Sequence, residues 1–128
     1  MTVRIGLIGA GVMGADHART IASGVGGAEL TAAHEKDIDR ARGVARSCGD
    51  ARVVETPDEL IADPKIDAVL VSSPDETHAS LAVACIGAGK PALVEKPLAS
   101  TPDDCRAVIS AEMKGGPPAY PGRLHAPV

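Results

Sequence analysis

Short apolar segments alternate with longer segments of mixed polarity along this 128-residue chain. The short segments are rich in Val, Ile, Leu and Ala and predict five β-strands, at residues 3–8, 29–34, 52–54, 67–72 and 92–94. The longer segments predict helices at residues 12–23, 38–47, 56–62, 77–88 and 102–113. Strands that alternate with helices in this way form a parallel sheet covered by helices on both faces. The pattern therefore predicts a three-layer, doubly wound α/β fold.

Polar residues indicate where some of these helices begin, and apolar residues indicate which way they face. Thr56 precedes Pro57 and stands three residues before Glu59, which is the pattern of a capping box. Thr77 is a candidate cap for the fourth helix. The apolar stripe expected to face the core from that helix is Leu81, Ala84, Cys85 and Ala88. Val108 and Ile109 are expected to face inward from the last helix.

The composition narrows the classes of function. The chain has no Phe or Trp and one Tyr, which argues against a site that stacks nucleic-acid bases. The net charge is −4 and the basic residues are scattered, which argues against a phosphate-backbone partner. The three cysteines lack the spacing of a disulfide framework or metal site, so no metal is expected. Without an evident signal peptide or membrane span, we expect a cytoplasmic protein.

A glycine-rich turn follows the first strand directly and opens the first helix. Gly9, Gly11 and Gly14 form a G-x-G-x-x-G pattern, with Val12 and Met13 at the helix start. In a dinucleotide-binding Rossmann fold, these glycines allow the turn, the approach of the pyrophosphate and close helix–strand packing. The helix start attracts the phosphates. The alternative is a turn that needs glycine for its backbone alone.

Glu35 stands 21 positions after Gly14, at the end of the second strand. An acid about 20 residues beyond the glycines binds the adenosine ribose hydroxyls in this fold. A carboxylate would repel the 2′-phosphate of NADP, so NAD is the favoured cofactor and NADP is disfavoured. His34 and Lys36 flank Glu35 and could soften that repulsion. The alternative is a solvated charge.

Further polar residues follow the fourth and fifth strands. Ser73 and Pro74 lie where ligands bind in a doubly wound sheet, beyond the carboxyl ends of the strands. His78 follows in the first turn of the next helix, and either faces the groove or is an ordinary surface histidine. Glu95 and Lys96 end the fifth strand, where the lysine could present a cation to a reacting hydroxyl or carbonyl. A surface ion pair is the alternative there.

Three separated segments, GLIGAGVMG, SSPDETH and VEKPLA, occur in the order and at the distances of one known family. Together they resemble the N-terminal half of the glucose–fructose oxidoreductase/inositol dehydrogenase (Gfo/Idh/MocA) family of sugar and polyol oxidoreductases. The resemblance covers about residues 2–114. It implies an NAD-binding domain of an enzyme that moves a hydride between a secondary alcohol and the nicotinamide.

The same resemblance assigns roles to individual residues. Lys96 would touch the reacting sugar or polyol hydroxyl as the catalytic residue, and would also contact the cofactor. Glu95 would stand near the nicotinamide. The remaining cofactor-binding residues would be Gly9, Gly11, Val12, Met13 and Gly14 at the pyrophosphate, Glu35 at the ribose, and Ser73, Pro74 and His78 on the nicotinamide side.

The chain departs from the family beyond residue 114. Family members have a second domain that supplies substrate contacts, and a sixth strand in the first domain. We expect a Rossmann domain at residues 1–114, an irregular Pro/Gly-rich tail at 115–128, and neither the sixth strand nor the second domain. The unpaired edge of strand 92–94 would then favour self-association. A truncated or frame-shifted enzyme, a free-standing NAD-binding module and a vestigial product remain alternatives.

Overall fold

The computed structural model describes residues 2–24, 26–49, 51–95, 99, 101–114 and 119–121. The strands are β1 Val3–Ile8, β2 Ala28–His34, β3 Arg52–Val53, β4 Ala68–Val71, β5 Ala92–Val94 and β6 Ala119–Pro121. The helices are α1 Val12–Gly24, α2 Ile38–Ser47, α3 Pro57–Ala62, α4 His78–Gly87 and α5 Pro102–Met113, with a short 3₁₀ turn at Asp75–Thr77 before α4. None of the helices described is long and apolar enough to cross a membrane.

The strands form one parallel sheet in the order β3-β2-β1-β4-β5-β6. The chain starts at the centre of the sheet, builds outward to β3, and then crosses back to place β4 on the other side of β1. This is the doubly wound order of a dinucleotide-binding fold, so the predicted fold class is confirmed. The crossover puts the carboxyl ends of β1 and β4 side by side at the switch in strand order.

Two clusters of buried side chains lie on opposite faces of the sheet, as the three-layer prediction requires. Leu7 and Leu70 pack toward Ala18 of α1 and Val44 of α2. Their neighbours along the strands pack on the other face, against α3, α4 and α5, because successive side chains in a strand point to opposite faces. The larger side chains of that second cluster include Ile8, Val69, Val71, Leu60, Ile86 and Val108.

At Gly6 in β1, a side chain of α3 packs directly against the sheet. A Cβ at Gly6 would lie 2.5 Å from Cδ2 of Leu60, which is completely buried. Thr56 caps α3, since its hydroxyl accepts from the N–H of Glu59 at 3.1 Å, as the sequence predicts. The capped start of α3 thus holds Leu60 over the gap left by Gly6.

The last strand differs from our expectation. We expected no sixth strand, yet β6 pairs with β5 in parallel, with Ala92 opposite Ala119 and Val94 opposite Pro121. The prolines argued against pairing, but an edge strand needs hydrogen bonds on one side alone, so it tolerates a residue without an N–H. The edge of β5 is therefore covered over three residue pairs. The rest of the predicted irregular tail lies outside the described residues.

Two predictions about helix faces also need correction. The fully buried stripe of α4 is Ala79, Ala82, Cys85 and Ile86, whereas Leu81 and Ala84 are half-buried and Ala88 is exposed. The helix is apolar nearly all round, so the sequence offered no polar face from which to set its rotation. In α5, Val108 is completely buried while Ile109 is 55% exposed, so one of the two residues expected to face inward does so.

Candidate functional site

The turn between β1 and α1 is fixed against the end of β4. Gly9 has a φ of 95°, in the left-handed region, and its N–H donates to the carbonyl of His34 at 2.8 Å. A Cβ at Gly9 would lie 2.5 Å from the carbonyl carbon of Ser72 and 2.5 Å from the nitrogen of Ser73. Both the backbone conformation and the space therefore require glycine there.

The other two glycines of the motif have contrasting surroundings. A Cβ at Gly14 would lie 2.0 Å from the carbonyl oxygen of Gly9, so Gly14 allows α1 to pack against the turn. A Cβ at Gly11 would meet no atom within 4 Å. Protein packing therefore does not account for Gly11, and the open space beside it lies at the start of α1. Val12 and Met13 follow Gly11 in the chain and are 87% and 54% exposed.

Glu35 is held by two backbone N–H groups rather than left in solvent. Its Oε1 accepts from the N–H of Ala10 at 3.0 Å and its Oε2 accepts from the N–H of Asp37 at 2.8 Å. Burial of the carboxyl would raise its pKa, but these two hydrogen bonds and the charge of Arg40 outweigh that effect and lower the pKa. The solvated-charge alternative is thus not what the structure has, because the carboxylate is anchored to the glycine-rich turn.

The two basic neighbours of Glu35 occupy different environments. Nδ1 of His34 donates to the carbonyl of Val54 at 3.1 Å, and this bond fixes the half-buried ring. Lys36 is exposed. The ring of His34 is therefore tied to the backbone that follows β3.

The segment after β4 is organised by side-chain bonds to its own backbone. The hydroxyl of Thr77 donates to the carbonyl of Pro74 at 2.6 Å, so it accepts from the hydroxyl of Ser73, also at 2.6 Å. Nε2 of His78 donates to the carbonyl of Ser73 at 2.8 Å. Thr77 stands at the N-cap of α4, as predicted, but its side chain makes no capping hydrogen bond to the helix.

His78 is buried, with 1% of its surface exposed, so the alternative of an ordinary surface histidine is excluded. The structure brings Ser73, Pro74 and His78 together at the end of β4. In this arrangement the imidazole of His78 holds the loop through the carbonyl of Ser73, while Pro74 is exposed.

The residue after β5 is tied to its neighbours through backbone and side chain. The N–H of Glu95 donates to the carbonyl of Val71 at 2.9 Å, which extends the pairing of β4 and β5 by one residue. Its Oε1 lies 2.5 Å from Nε2 of His17 in α1. His17 was not among the predicted site residues. The one feature of the sequence that could have identified it is its place three residues after Gly14. Lys96 lies outside the described residues.

The candidate residues therefore converge on one edge of the sheet. Gly9, Glu35, Ser73 and Glu95 follow the carboxyl ends of β1, β2, β4 and β5, and the start of α1 lies among them. This is where doubly wound sheets bind ligands. In the part of the chain that the structure describes, no cluster of three or more His, Cys, Asp or Glu residues could hold a metal ion.

Comparison with known proteins decides the family. The model of the GFO/IDH/MocA oxidoreductase family, NAD-binding Rossmann fold, matches residues 3–120. The chain belongs to this family. The resemblance carried by the three sequence motifs is thus confirmed, and the matched domain is the family's NAD-binding domain.

The similar proteins are full-length inositol dehydrogenases. Inositol 2-dehydrogenase 2 of Saccharopolyspora erythraea is 52% identical over 118 residues, which cover 92% of this chain and 35% of that protein. Inositol 2-dehydrogenase of Acidothermus cellulolyticus is 46% identical over 115 residues, covering 90% and 34%. The chain spans about a third of the length of these relatives.

Solved structures agree with this fold. Myo-inositol dehydrogenase from Lactobacillus casei, solved with NAD(H) and myo-inositol, superposes with a TM-score of 0.86 at 31% identity, covering 89% of this chain and 34% of that one. A probable dehydrogenase from Thermotoga maritima superposes with a TM-score of 0.88 at 36% identity, covering 94% and 36%.

Proposed function

We propose that this chain is the NAD-binding part of a polyol dehydrogenase that acts on inositol or a related cyclic polyol. The observation that carries the proposal is the open space at Gly11, between two glycines that packing requires. A pyrophosphate bound there would meet the free N–H groups at the start of α1. The names of the inositol dehydrogenase relatives support the polyol class.

Glu35 would recognise the adenosine ribose. Its two oxygens already accept backbone N–H groups, which fixes their direction and leaves further lone pairs for ribose hydroxyls. Its lowered pKa favours the charged form, and a fixed negative charge would repel the additional phosphate of NADP. NAD is therefore the cofactor we propose.

The second half of the cofactor groove would be formed by Ser73, Pro74, His78 and Glu95. Bound NAD would supply the hydride acceptor at its nicotinamide ring. Lys96 would contact both cofactor and substrate and assist the proton transfer from the reacting hydroxyl, an assignment that rests on the VEKPLA motif. His78 would support the loop carrying Ser73 through its bond to the Ser73 carbonyl.

NADH titration of the purified chain tests the proposal. The chain has no Trp, so the fluorescence of bound NADH can be read without a tryptophan background. Gly11→Val would place a branched side chain in the proposed pyrophosphate space, and we expect affinity to fall by about tenfold or more. Gly43→Val is the matched control, because a Cβ at Gly43 in α2 also meets nothing within 4 Å. Equal binding by the two variants would contradict the proposal.

Cofactor preference tests the role of Glu35 separately. We expect the wild-type chain to bind NADH more tightly than NADPH, and Glu35→Gln to narrow that difference because it removes the charge and keeps the shape. Asp39→Asn removes an exposed charge from the first turn of α2 and serves as the control. A wild-type preference for NADPH would show that His34 and Lys36 dominate instead.

We further propose a cytoplasmic location, supported by three cysteines without the spacing of a disulfide framework. Self-association through the sheet edge stays a prediction. Because β6 pairs with β5, the edge available for a second chain would be that of β6. Sedimentation across a concentration series would detect it, whereas a monomer at every concentration would exclude it.

A further inference from the structure

A histidine on the first helix contacts the residue that follows the fifth strand. Nε2 of His17 lies 2.5 Å from Oε1 of Glu95, although the two residues are 78 positions apart. The side chains are 24% and 18% exposed, so the pair is largely enclosed. Because a carboxylate can only accept, Nε2 carries the hydrogen and donates it.

The pair stands on the nicotinamide side of the proposed groove. Glu35 follows β2 and marks the adenosine side, and Gly11 lies at the pyrophosphate position near the centre of the sheet. A dinucleotide that extends from Glu35 across α1 reaches the β4–β5 side with its other half. Glu95 follows β5 on that side, directly before Lys96 in the chain.

Two bonds fix Glu95 there. Its backbone N–H is held by the carbonyl of Val71, and its carboxylate is held by His17. An enclosed hydrogen bond between two side chains adds little net stability, since desolvation offsets the attraction, so its more specific effect is to hold a group in one direction. The contact joins the helix that would bind the pyrophosphate to the segment that precedes Lys96.

We propose that His17 is a positioning residue that fixes Glu95 and thereby shapes the nicotinamide half of the NAD groove. This inference rests on the proposed function. It gives α1 two separate roles in cofactor binding. The start of the helix faces the phosphates, and His17, farther along the helix, aligns the end of β5.

The test compares NADH with ADP-ribose, which lacks the nicotinamide ring, by calorimetry on the whole chain. His17→Gln keeps an amide N–H that can reach Glu95, whereas the side chain of His17→Asn is too short to reach it. We expect His17→Asn to weaken NADH binding about tenfold, the effect of one lost bond to a charged group, and to leave ADP-ribose binding within about twofold. His17→Gln should restore most of the NADH affinity.

Thermal melts of each variant control for folding. Arg19→Leu removes an exposed partner of Asp16 from the same helix and should change neither affinity. If His17→Asn does not fold, His17→Leu, which has no donor, takes its place in the comparison with His17→Gln. Equal loss of both ligands, or no loss of NADH affinity, would overturn the inference while the proposed function stands. Absence of NADH binding by the wild-type chain would overturn both.

Discussion

Two glycines of the same turn should respond to alanine in opposite directions. Gly14→Ala puts a methyl group 2.0 Å from the carbonyl oxygen of Gly9, and neither that backbone nor α1 can yield without moving the turn. Gly11→Ala puts the same methyl group into open space, at a position without a left-handed φ. The substitutions are chemically identical, so their difference isolates the effect of packing.

The size of each effect follows from this geometry. Forcing an atom into a packed site costs about 1–3 kcal/mol and occasionally more, and a 2.0 Å approach to backbone belongs at the upper end of that range. With about 4 °C of melting temperature per kcal/mol for a chain of this size, Gly14→Ala should lower the Tm by about 10 °C. Gly11→Ala should raise stability by about 0.4–1 kcal/mol, because the unfolded chain loses freedom.

Circular dichroism melts and NADH titrations on the wild type and three variants would check this. Gly14→Ala should lower both Tm and NADH affinity, whereas Gly11→Ala should raise Tm and still weaken NADH binding. Gly43→Ala, in open space on α2, should raise Tm and leave binding unchanged. A Tm of Gly14→Ala within about 2 °C of the wild-type value would correspond to a loss of well under 1 kcal/mol in the free energy of unfolding. That result would refute the close packing of α1 on the turn.

Three further predictions concern the core, the ribose-binding acid and the thiols. Leu60→Ala should lower the free energy of unfolding by about 2–5 kcal/mol, and Gly6→Ala should lower it too. The double variant should lose less stability than the sum of the two, because the new methyl group fills space left by Leu60. Additive losses in urea melts would contradict the contact between Gly6 and Leu60. Folding lowers the pKa of Glu35, so the ionised carboxylate stabilises the folded chain at pH values above the unfolded pKa, near 4.5. That stabilisation is lost as the pH falls through the folded pKa. Urea melts from neutral to acid pH should therefore show a smaller loss of stability in Glu35→Gln than in wild type, and equal losses would count against the two backbone bonds. Cys105 is exposed, Cys48 is buried, and burial raises the pKa of Cys85 to about 12, so a thiol reagent should modify one group quickly in the native chain and three after unfolding.

The sequence by itself determined most of the fold and part of the geometry of the candidate site. The predicted bounds of β1, α2 and β5 are those of the structure, because Gly, Asp and Pro residues mark their ends locally. Gly9, Gly14 and Glu35 could also be assigned from spacing, since the turn and the strand that follows it set their positions within one βαβ unit.

Tertiary structure decided the features that depend on contacts between distant elements. The rotation of α4 was set by the sheet and α5, because a helix that is apolar on nearly every side has no preferred face of its own. The three residues of β6 carry too little pattern to predict a strand, and they acquire that conformation by pairing with β5. His17 and Glu95 meet because the parallel sheet brings the carboxyl ends of β1 and β5 to the same edge, with β4 between them, and no local pattern in the chain encodes a contact across 78 positions.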